Sequence, residues 1–435
     1  MSNSIEEIYS IYKKSSGIST DTRSIKENSI YFALKGPNFN GNHFAEDALE
    51  KGAILSVVDD KSLNGVSNNF IIVRDSLKTL QDLAKYHRKK LNIPFVGITG
   101  SNGKTTTKSL IEKVLSSKYK VRATEGNLNN HIGVPLSVLN VSDNDEIAVI
   151  EMGASAVGEI KLLSEICRPT IGLITNISNA HVKGFKNIEG VIRGKSELFD
   201  YLLKNDGKVI INNFDEIINN FSKRFVDAIH LDGKSSIVNV TLIESTPQIK
   251  FNINDKDIFI SNLFGDYNFQ NILFALTVGK YFNIDLEQSS KIVSKYIPNN
   301  NRSEKLDYKS NCIILDAYNA NPTSMEQAIN AVFNFKNKNK VMILGDMNEL
   351  GDQSNSEHLR IGKLIKKLKI NHVFFIGNKM RCAYDENPGS MWFEKVDDLI
   401  KGVKKLSLKN SDILIKGSRS LKLEKSLEVV KQISV

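Results

Sequence analysis

FVGITGSNGKTTTKSL, residues 95–110, runs from an apolar strand-like segment through Gly100-Ser101-Asn102-Gly103-Lys104-Thr105 into a helical pattern. This is the layout of a phosphate-binding loop. Glycines let backbone N–H groups approach phosphate oxygens, and the helix N-terminus adds its dipole. The lysine neutralises terminal phosphates, and the hydroxyl of Thr105 can hold magnesium. A glycine-rich turn that binds nothing is the alternative, and the strand and helix on either side argue against it. The general pattern needs glycine where Ile98 stands, so the loop is the shorter G-x-x-G-K-[ST].

Around this loop, strand-like runs at 147–150, 171–175 and 209–211 alternate with helical stretches at 105–116 and 157–166. Such alternation predicts a mostly parallel sheet covered by helices. Residues 249–253 and 258–260 suggest a small antiparallel addition within the less regular stretch 212–260. Upstream, short apolar runs at 30–34, 53–58 and 70–73 read as strands, separated by turn-rich sequence such as KGPNFNGNH. A helix is predicted over 76–90, where Leu77, Leu80, Leu83 and Ala84 recur at helical spacing, and Asn92-Ile93-Pro94 ends it. Downstream, the polar stretch 298–302 reads as a linker. A second alternating series follows it at 312–315, 324–333, 341–344, 358–368, 373–376 and 413–415. No repeat of solenoid period interrupts this order. The expectation is an α/β chain of three units, 1–91, 92–301 and 302–435.

The 435 residues exceed what one hydrophobic core holds, at ~100–200 residues per domain. With 41% hydrophobic and 25% charged residues, composition excludes disordered and fibrous classes. MSNSIEEIYSIYKK has no apolar core of signal-peptide type, and no run approaches the ~18 apolar residues of a membrane span, so a cytoplasmic protein is expected. Cys167, Cys312 and Cys382 form no CxxC pair, which fits a reducing compartment and small buried thiols. The balance of 58 Lys+Arg over 49 Asp+Glu gives +9. The lysines are spread along the chain with no aromatic-interleaved basic run, so no nucleic-acid partner is expected.

The short loop preceded by Ile-Thr resembles the form found in Mur ligases and folylpolyglutamate synthetases. The resemblance to the Mur ligase family extends through EGNLNNHIGVPLSVL (125–139), VIEMGASAVGEI (149–160), TNISNAHVKGF (175–185), GKSELF (194–199) and GDYNFQN (265–271). It continues in DAYNANPTSMEQAI (316–329), LGDMNELG (344–351) and KGSRSLKLE (416–424). It implies the three-domain Mur architecture, with a central P-loop domain of mostly parallel sheet and a C-terminal Rossmann-like α/β domain. The implied reaction joins D-alanyl-D-alanine to a UDP-N-acetylmuramoyl tripeptide at the expense of ATP, with magnesium, in a monomer.

For ATP the resemblance points to Gly100, Ser101, Asn102, Gly103, Lys104, Thr105 and Thr106, with Asn268 and Asn271 toward adenosine. Arg302, Asp316, Tyr318 and Asn319 are expected to reach the nucleotide from the third unit. The two asparagines could equally cap the helix that follows them. For metal it points to Thr105, Glu151, His181 and Lys195, the last as a carbamate. Read alone, Glu151 closes an apolar run where α/β sheets bind ligands, though an acid there can also be a cap or surface charge. A lone histidine is more often structural, and Lys195 would by default be a solvated helix lysine. Catalysis is expected of Lys104, Lys195 and His181.

STDTRSIKENSIYFALKGPNFNGNHF (19–44) resembles the family's UDP-sugar segment, which nominates Thr20, Asp21, Thr22, Arg23, Lys35 and Gly36. Asp-Thr-Arg could equally be a turn with an exposed ion pair worth little. Asn127, Asn129, Asn130, Asn176, Asn321 and Ser324 are the remaining expected substrate contacts. Ser155-Ala156-Val157 departs from the family pattern, where asparagine and then a polar residue or proline precede Gly-Glu-Ile. The family member that adds a single amino acid usually carries Asn-Pro-Arg, which is absent here, whereas YNANPTSM and LGDMNELG resemble the dipeptide-adding form, so the resemblance implies a dipeptide acceptor. Folylpolyglutamate synthesis is disfavoured by the UDP-sugar segment. A remodelling ATPase would differ by hydrolysing ATP without either co-substrate.

Overall fold

The computed structural model describes residues 4–179, 182–299, 301–370, 372–403 and 406–435. Its centre is a six-stranded, wholly parallel sheet in the order Ile229–His230, Lys208–Ile211, Ile171–Ile174, Phe95–Thr99, Ile147–Glu151, Val121–Ala123. The inner strands are apolar because helices cover both faces, as parallel sheets require. Register decides the site. Ile98 pairs with Glu151 and Thr99 with Ile174, so three adjacent strands end level and open onto the same edge.

The helix Lys104–Leu115 packs on Asp266–Tyr281, whose sides are nearly all buried, so its apolar run needs no single stripe. The antiparallel addition expected from alternation is Val240–Glu244, Lys250–Ile253 and Asp257–Ile260.

In the N-terminal part, Ile18–Ser19, Ser29–Phe32, Ala53–Val58 and Phe70–Ile72 form a second parallel sheet. The helix Ser76–Lys90 carries it onto the central unit. Arg88 makes that joint. Its guanidinium donates to the carbonyls of Cys167, Arg168 and Leu91 and lies 3.7 Å from the Phe95 ring centroid. A buried cation at the C-terminal end of the helix Glu159–Cys167 is thereby satisfied by the end that attracts positive charge.

The third sheet runs Glu304–Tyr308, Asn311–Asp316, Ser411–Lys416, Asn339–Gly345, His372–Ile376, Met391–Phe393, with the first pair antiparallel and the rest parallel. Lys340 and Asp412 stand opposite each other in register and pair at 2.7 Å in its interior. Phe264 of the central part packs edge-on against Phe335 of the third, 5.4 Å between centroids, so the two parts meet through apolar as well as polar contacts.

Only Cys167 is fully buried; Cys312 and Cys382 are half-buried, contrary to the expectation for all three. Of the linker expected over 298–302, Asn300 lies outside the described residues. No helix among the described residues is long and apolar enough to cross a membrane.

Candidate active site

Three strand ends and one edge of the third sheet enclose a cleft of about 540 Å³. The loop after Phe95–Thr99 forms its floor. Gly100 has φ +145, and a Cβ there would stand 1.9 Å from Thr175 Oγ1. Gly103 has φ +79 and abuts Asn271. Both positions therefore demand glycine, the second because the chain must turn left-handed into the helix.

Lys104 Nζ donates to the carbonyls of Gly100 (2.7 Å) and Ser101 (3.2 Å), so the ammonium curls onto its own loop. Burial pushes its pKa down; Glu151 opposes, Arg302 reinforces, and Glu349 opposes again. Ser101, Asn102, Thr105 and Thr106 line the same space.

Asn176, expected among the substrate contacts, instead holds this loop. Its Nδ2 donates to the Asn102 carbonyl, and its Oδ1 accepts from the Asn102 N–H, both at 3.0 Å. With both ends of the amide so committed, it does not line the main cleft; it lines the smaller one behind the loop.

Glu151 ends its strand 1% exposed. Asn129 Nδ2 donates to its Oε1 at 2.7 Å, while Oε2 is buried with no hydrogen-bond partner. An orphaned carboxylate oxygen in the same cleft as Thr105 fits a divalent cation that takes its other ligands from phosphate and water. Among the described residues no group of three or more His, Cys, Asp or Glu could hold a metal. Asn127 and Asn130 line the cleft beside Asn129, and Asn130 also accepts from the N–H groups of Ile132 and Gly133.

Asn268 and Asn271 are buried and both face the cleft. They do not cap the helix Asp266–Tyr281 in the simple sense, since Gly265 is its N-cap. Instead Asn271 accepts from Thr107 Oγ1 at 2.9 Å and donates to Asn268 at 3.0 Å, which ties the helix to the phosphate loop.

From the C-terminal part come Arg302, on the turn before Glu304–Tyr308, Asp316 at a strand end, and Tyr318, Asn319, Asn321 and Ser324 in the loop and helix that follow. The Arg302 guanidinium stacks 3.6 Å from the Tyr318 ring centroid. Asn321 caps the helix Pro322–Phe333 through Ser324, and its Nδ2 donates to Asn102 Oδ1 at 2.6 Å, closing this unit onto the phosphate loop. Lys416, Gln327 and Glu349 also line the cleft and were not nominated from sequence. Lys416 had a signal: it follows the apolar run 413–415 at a strand's carboxyl end.

Lys195 is no solvated lysine. It is 1% exposed, its Nζ donates to the Ala154 carbonyl at 3.2 Å, and it lies 5.4 Å from the Phe185 ring centroid. Burial pushes its pKa well down, Lys104 adds to this, and Glu159, Glu197 and Glu151 oppose. Two residues on, Glu197 accepts from the N–H groups of Gly158 (2.6 Å) and Lys161 (2.8 Å), at the N-terminus of Glu159–Cys167. The divergent Ser155-Ala156-Val157 turn is held through backbone N–H groups by Glu159, so it keeps its shape without the family's usual side chains. His181 lies outside the described residues.

The residues nominated for the UDP-sugar sit in the N-terminal part, on the turn after Ile18–Ser19 and on the two-stranded hairpin of Lys35–Gly36 and Phe39–Asn40, and do not line this cleft. Asp21 accepts from the Arg23 N–H and pairs with its guanidinium at 2.6 Å, which holds the carboxyl down at about 2. With Arg23 87% exposed, that pair adds little stability, and its groups remain open to a ligand. Thr20 and Thr22 flank it. Lys35 pairs with Asp59 at 2.9 Å, and Asp59 also accepts from Asn42; neither was foreseen. Gly36 has the Phe39 ring against it, leaving no room for a Cβ.

Three family models match the chain in order: the Mur ligase family catalytic domain at 14–88, the Mur ligase middle domain at 98–279, and the Mur ligase glutamate ligase domain at 301–419. A UDP-N-acetylmuramoyl-tripeptide--D-alanyl-D-alanine ligase of Bacillus subtilis is 37% identical over 96% of this chain and 93% of its own. One of that name from Buchnera aphidicola subsp. Baizongia pistaciae is 33% identical over 94% and 91%. The crystal structure of MurF from Acinetobacter baumannii superposes with a TM-score of 0.84 at 26% identity, covering 95% of this chain and 93% of that one. MurF from Thermotoga maritima in complex with ADP shares the fold, with a TM-score of 0.83 at 24% identity over 96% and 97%.

Proposed function

The chain belongs to the Mur ligase family, and on that basis we propose that it joins D-alanyl-D-alanine to a UDP-N-acetylmuramoyl tripeptide through an acyl phosphate, giving the pentapeptide precursor of peptidoglycan. ATP is its energy source and magnesium its metal. The observation that carries the reading is one cleft lined by a phosphate-binding loop, a buried acid with an orphaned oxygen, and an arginine from the C-terminal part.

In the first step a carboxylate oxygen of the tripeptide attacks the ATP γ-phosphorus and ADP leaves. Two anions must meet, so repulsion is the main barrier and charge placement the main remedy. Lys104 exchanges its two carbonyl partners for phosphate oxygens, which are stronger acceptors because they carry charge. The N–H groups at the start of Lys104–Leu115 add partial positive charge. Arg302 brings a further cation when the third unit is closed on the loop through Asn321 and Asn102. Magnesium, where bound, would be held by Glu151 and Thr105 and would neutralise phosphate charge. The amine of D-alanyl-D-alanine then attacks the acyl carbon, loses a proton, and inorganic phosphate departs.

Units of residues 1–91, 92–301 and 302–435 divide this work: UDP-sugar, ATP, and the dipeptide with closure. The exposed Asp21–Arg23 pair and Lys35 support the first assignment. The protein acts as a cytoplasmic monomer. Lys195 works as a carbamate, because CO₂ adds to a neutral amine with loss of one proton, and this buried lysine has a pKa depressed toward that form. The anion so made would suit a metal site where an ammonium would not.

The overall test is phosphate release. It should require both a UDP-muramoyl tripeptide and D-alanyl-D-alanine, with D-alanine or glutamate far poorer acceptors. ATP hydrolysis independent of both would make this a remodelling ATPase. Glu151→Gln should lower kcat by about a hundredfold and raise the magnesium requirement, since one metal–carboxylate contact is lost. Wild-type magnesium dependence in that variant removes Glu151 as a ligand.

A further inference from the structure

Lys416 ends the strand Ser411–Lys416 with its side chain 2% exposed, in register beside Asp316. Its Nζ donates to Asp316 Oδ2 at 2.5 Å and to the Asn319 carbonyl at 3.3 Å. A charged side chain this deep needs a partner, and here the partner is itself a cleft residue.

Asp316 then passes the constraint on. Its other oxygen, Oδ1, accepts from the Ser303 N–H at 3.1 Å, and two residues along the turn the Tyr318 N–H donates to the Asn301 carbonyl at 3.1 Å. These bonds clamp the chain on both sides of Arg302. Asn301 and Ser303 have φ of +57 and +50, left-handed values that non-glycine residues hold only where their surroundings impose them. Between them, Arg302 lies against the Tyr318 ring. The backbone at 301–303 and the ring under the guanidinium are thus both fixed by the turn 316–319, which Lys416 pins at its two ends.

We propose that Lys416 is a positioning residue that acts through Asp316 and the 316–319 turn to aim Arg302 at the nucleotide phosphates. This rests on the ligase reading of the cleft. It assigns Lys416 no contact with substrate. It separates two roles a buried ion pair can have: holding the third sheet together, or setting the direction of a cation elsewhere. Only the second couples Lys416 to Arg302.

A double-mutant cycle on the full chain distinguishes them, read both as ADP affinity by calorimetry and as kcat for ligation. Lys416→Met should weaken ADP binding and lower kcat by about ten- to a hundredfold, the range for losing a supporting contact to a functional group. KM for the UDP-muramoyl tripeptide should stay within about twofold, because the residues nominated for its UDP-sugar, Thr20, Asp21, Thr22, Arg23, Lys35 and Gly36, lie in the N-terminal part and are untouched. Lys416→Arg should recover most of the loss, since a guanidinium can serve the same carboxylate. The deciding arm is Arg302→Ala. In the Lys416→Met background it should cost at most about threefold more, because residues acting in series are non-additive. Equal cost of Arg302→Ala in both backgrounds overturns the proposal and leaves Lys416 a structural ion pair. Should Lys416→Met not fold, the same cycle with Lys416→Gln, which keeps a donor to the carboxylate, carries the comparison. A wild-type protein that does not ligate these substrates sinks the ligase reading instead, while the ADP cycle still reports on Lys416.

Discussion

Lys104→Ala is expected to lower kcat for ligation by roughly three orders of magnitude or more, about 4 kcal/mol of transition-state stabilisation, with the melting temperature changed by only a few degrees. The two halves of this expectation have separate causes. In the protein without nucleotide the ammonium donates to the carbonyls of Gly100 and Ser101, on its own loop, and shares the cleft with Arg302. Deleting it costs two local hydrogen bonds and the attraction of Glu151, and relieves its burial and the repulsion from Arg302, terms of opposite sign. In the reaction, by contrast, the same charge faces a carboxylate approaching a triphosphate, and no other residue on the loop carries a cation to take its place. Phosphate release and thermal melts on the one variant check both halves. A variant that ligates at near-normal rate removes the loop from the chemistry. One that unfolds shows that Lys104 serves the core.

Lys195→Ala should be nearly inactive as well, with a loss of about a hundredfold or more, and millimolar acetate or formate should restore part of the rate. The cavity left at a site that is 1% exposed is lined by Ala154 and Phe185, and a small carboxylate entering it would stand in for the proposed carbamate. The modification has a readout that does not depend on turnover. Protein equilibrated with ¹³C-enriched bicarbonate should show a carbamate carbonyl resonance that the alanine variant lacks. A missing resonance, together with no rescue, would leave the plain amine as the working group, held by Ala154. Full activity in the variant would take Lys195 out of the mechanism altogether.

The sequence by itself determined what is local. A strand, four loop residues and a helix fit within residues 95–110, and the chemistry of that loop follows from residue type and spacing alone. The helix at 76–90 was legible from its helical periodicity, and the inner strands from short, continuous apolar runs bounded by turn residues. Short elements were not, such as Ile18–Ser19, Val121–Ala123 and Met391–Phe393, where two or three residues hold too little pattern and the neighbouring strand supplies the reason to extend.

What only the tertiary structure decided is which polar groups satisfy each other across the chain. Asn176 was read as a substrate contact because it stands in a matching segment, yet its amide is spent on Asn102, 74 residues away. Lys195 reads as a surface helix lysine until packing against Ala154 and Phe185 buries it. Asp316 and Lys416 are separated by 100 residues and meet because two parallel strands share a register. Register is set by the whole apolar face of a strand and the helices that cover it, so the partner of a polar residue at a strand's end is a property of the assembled sheet.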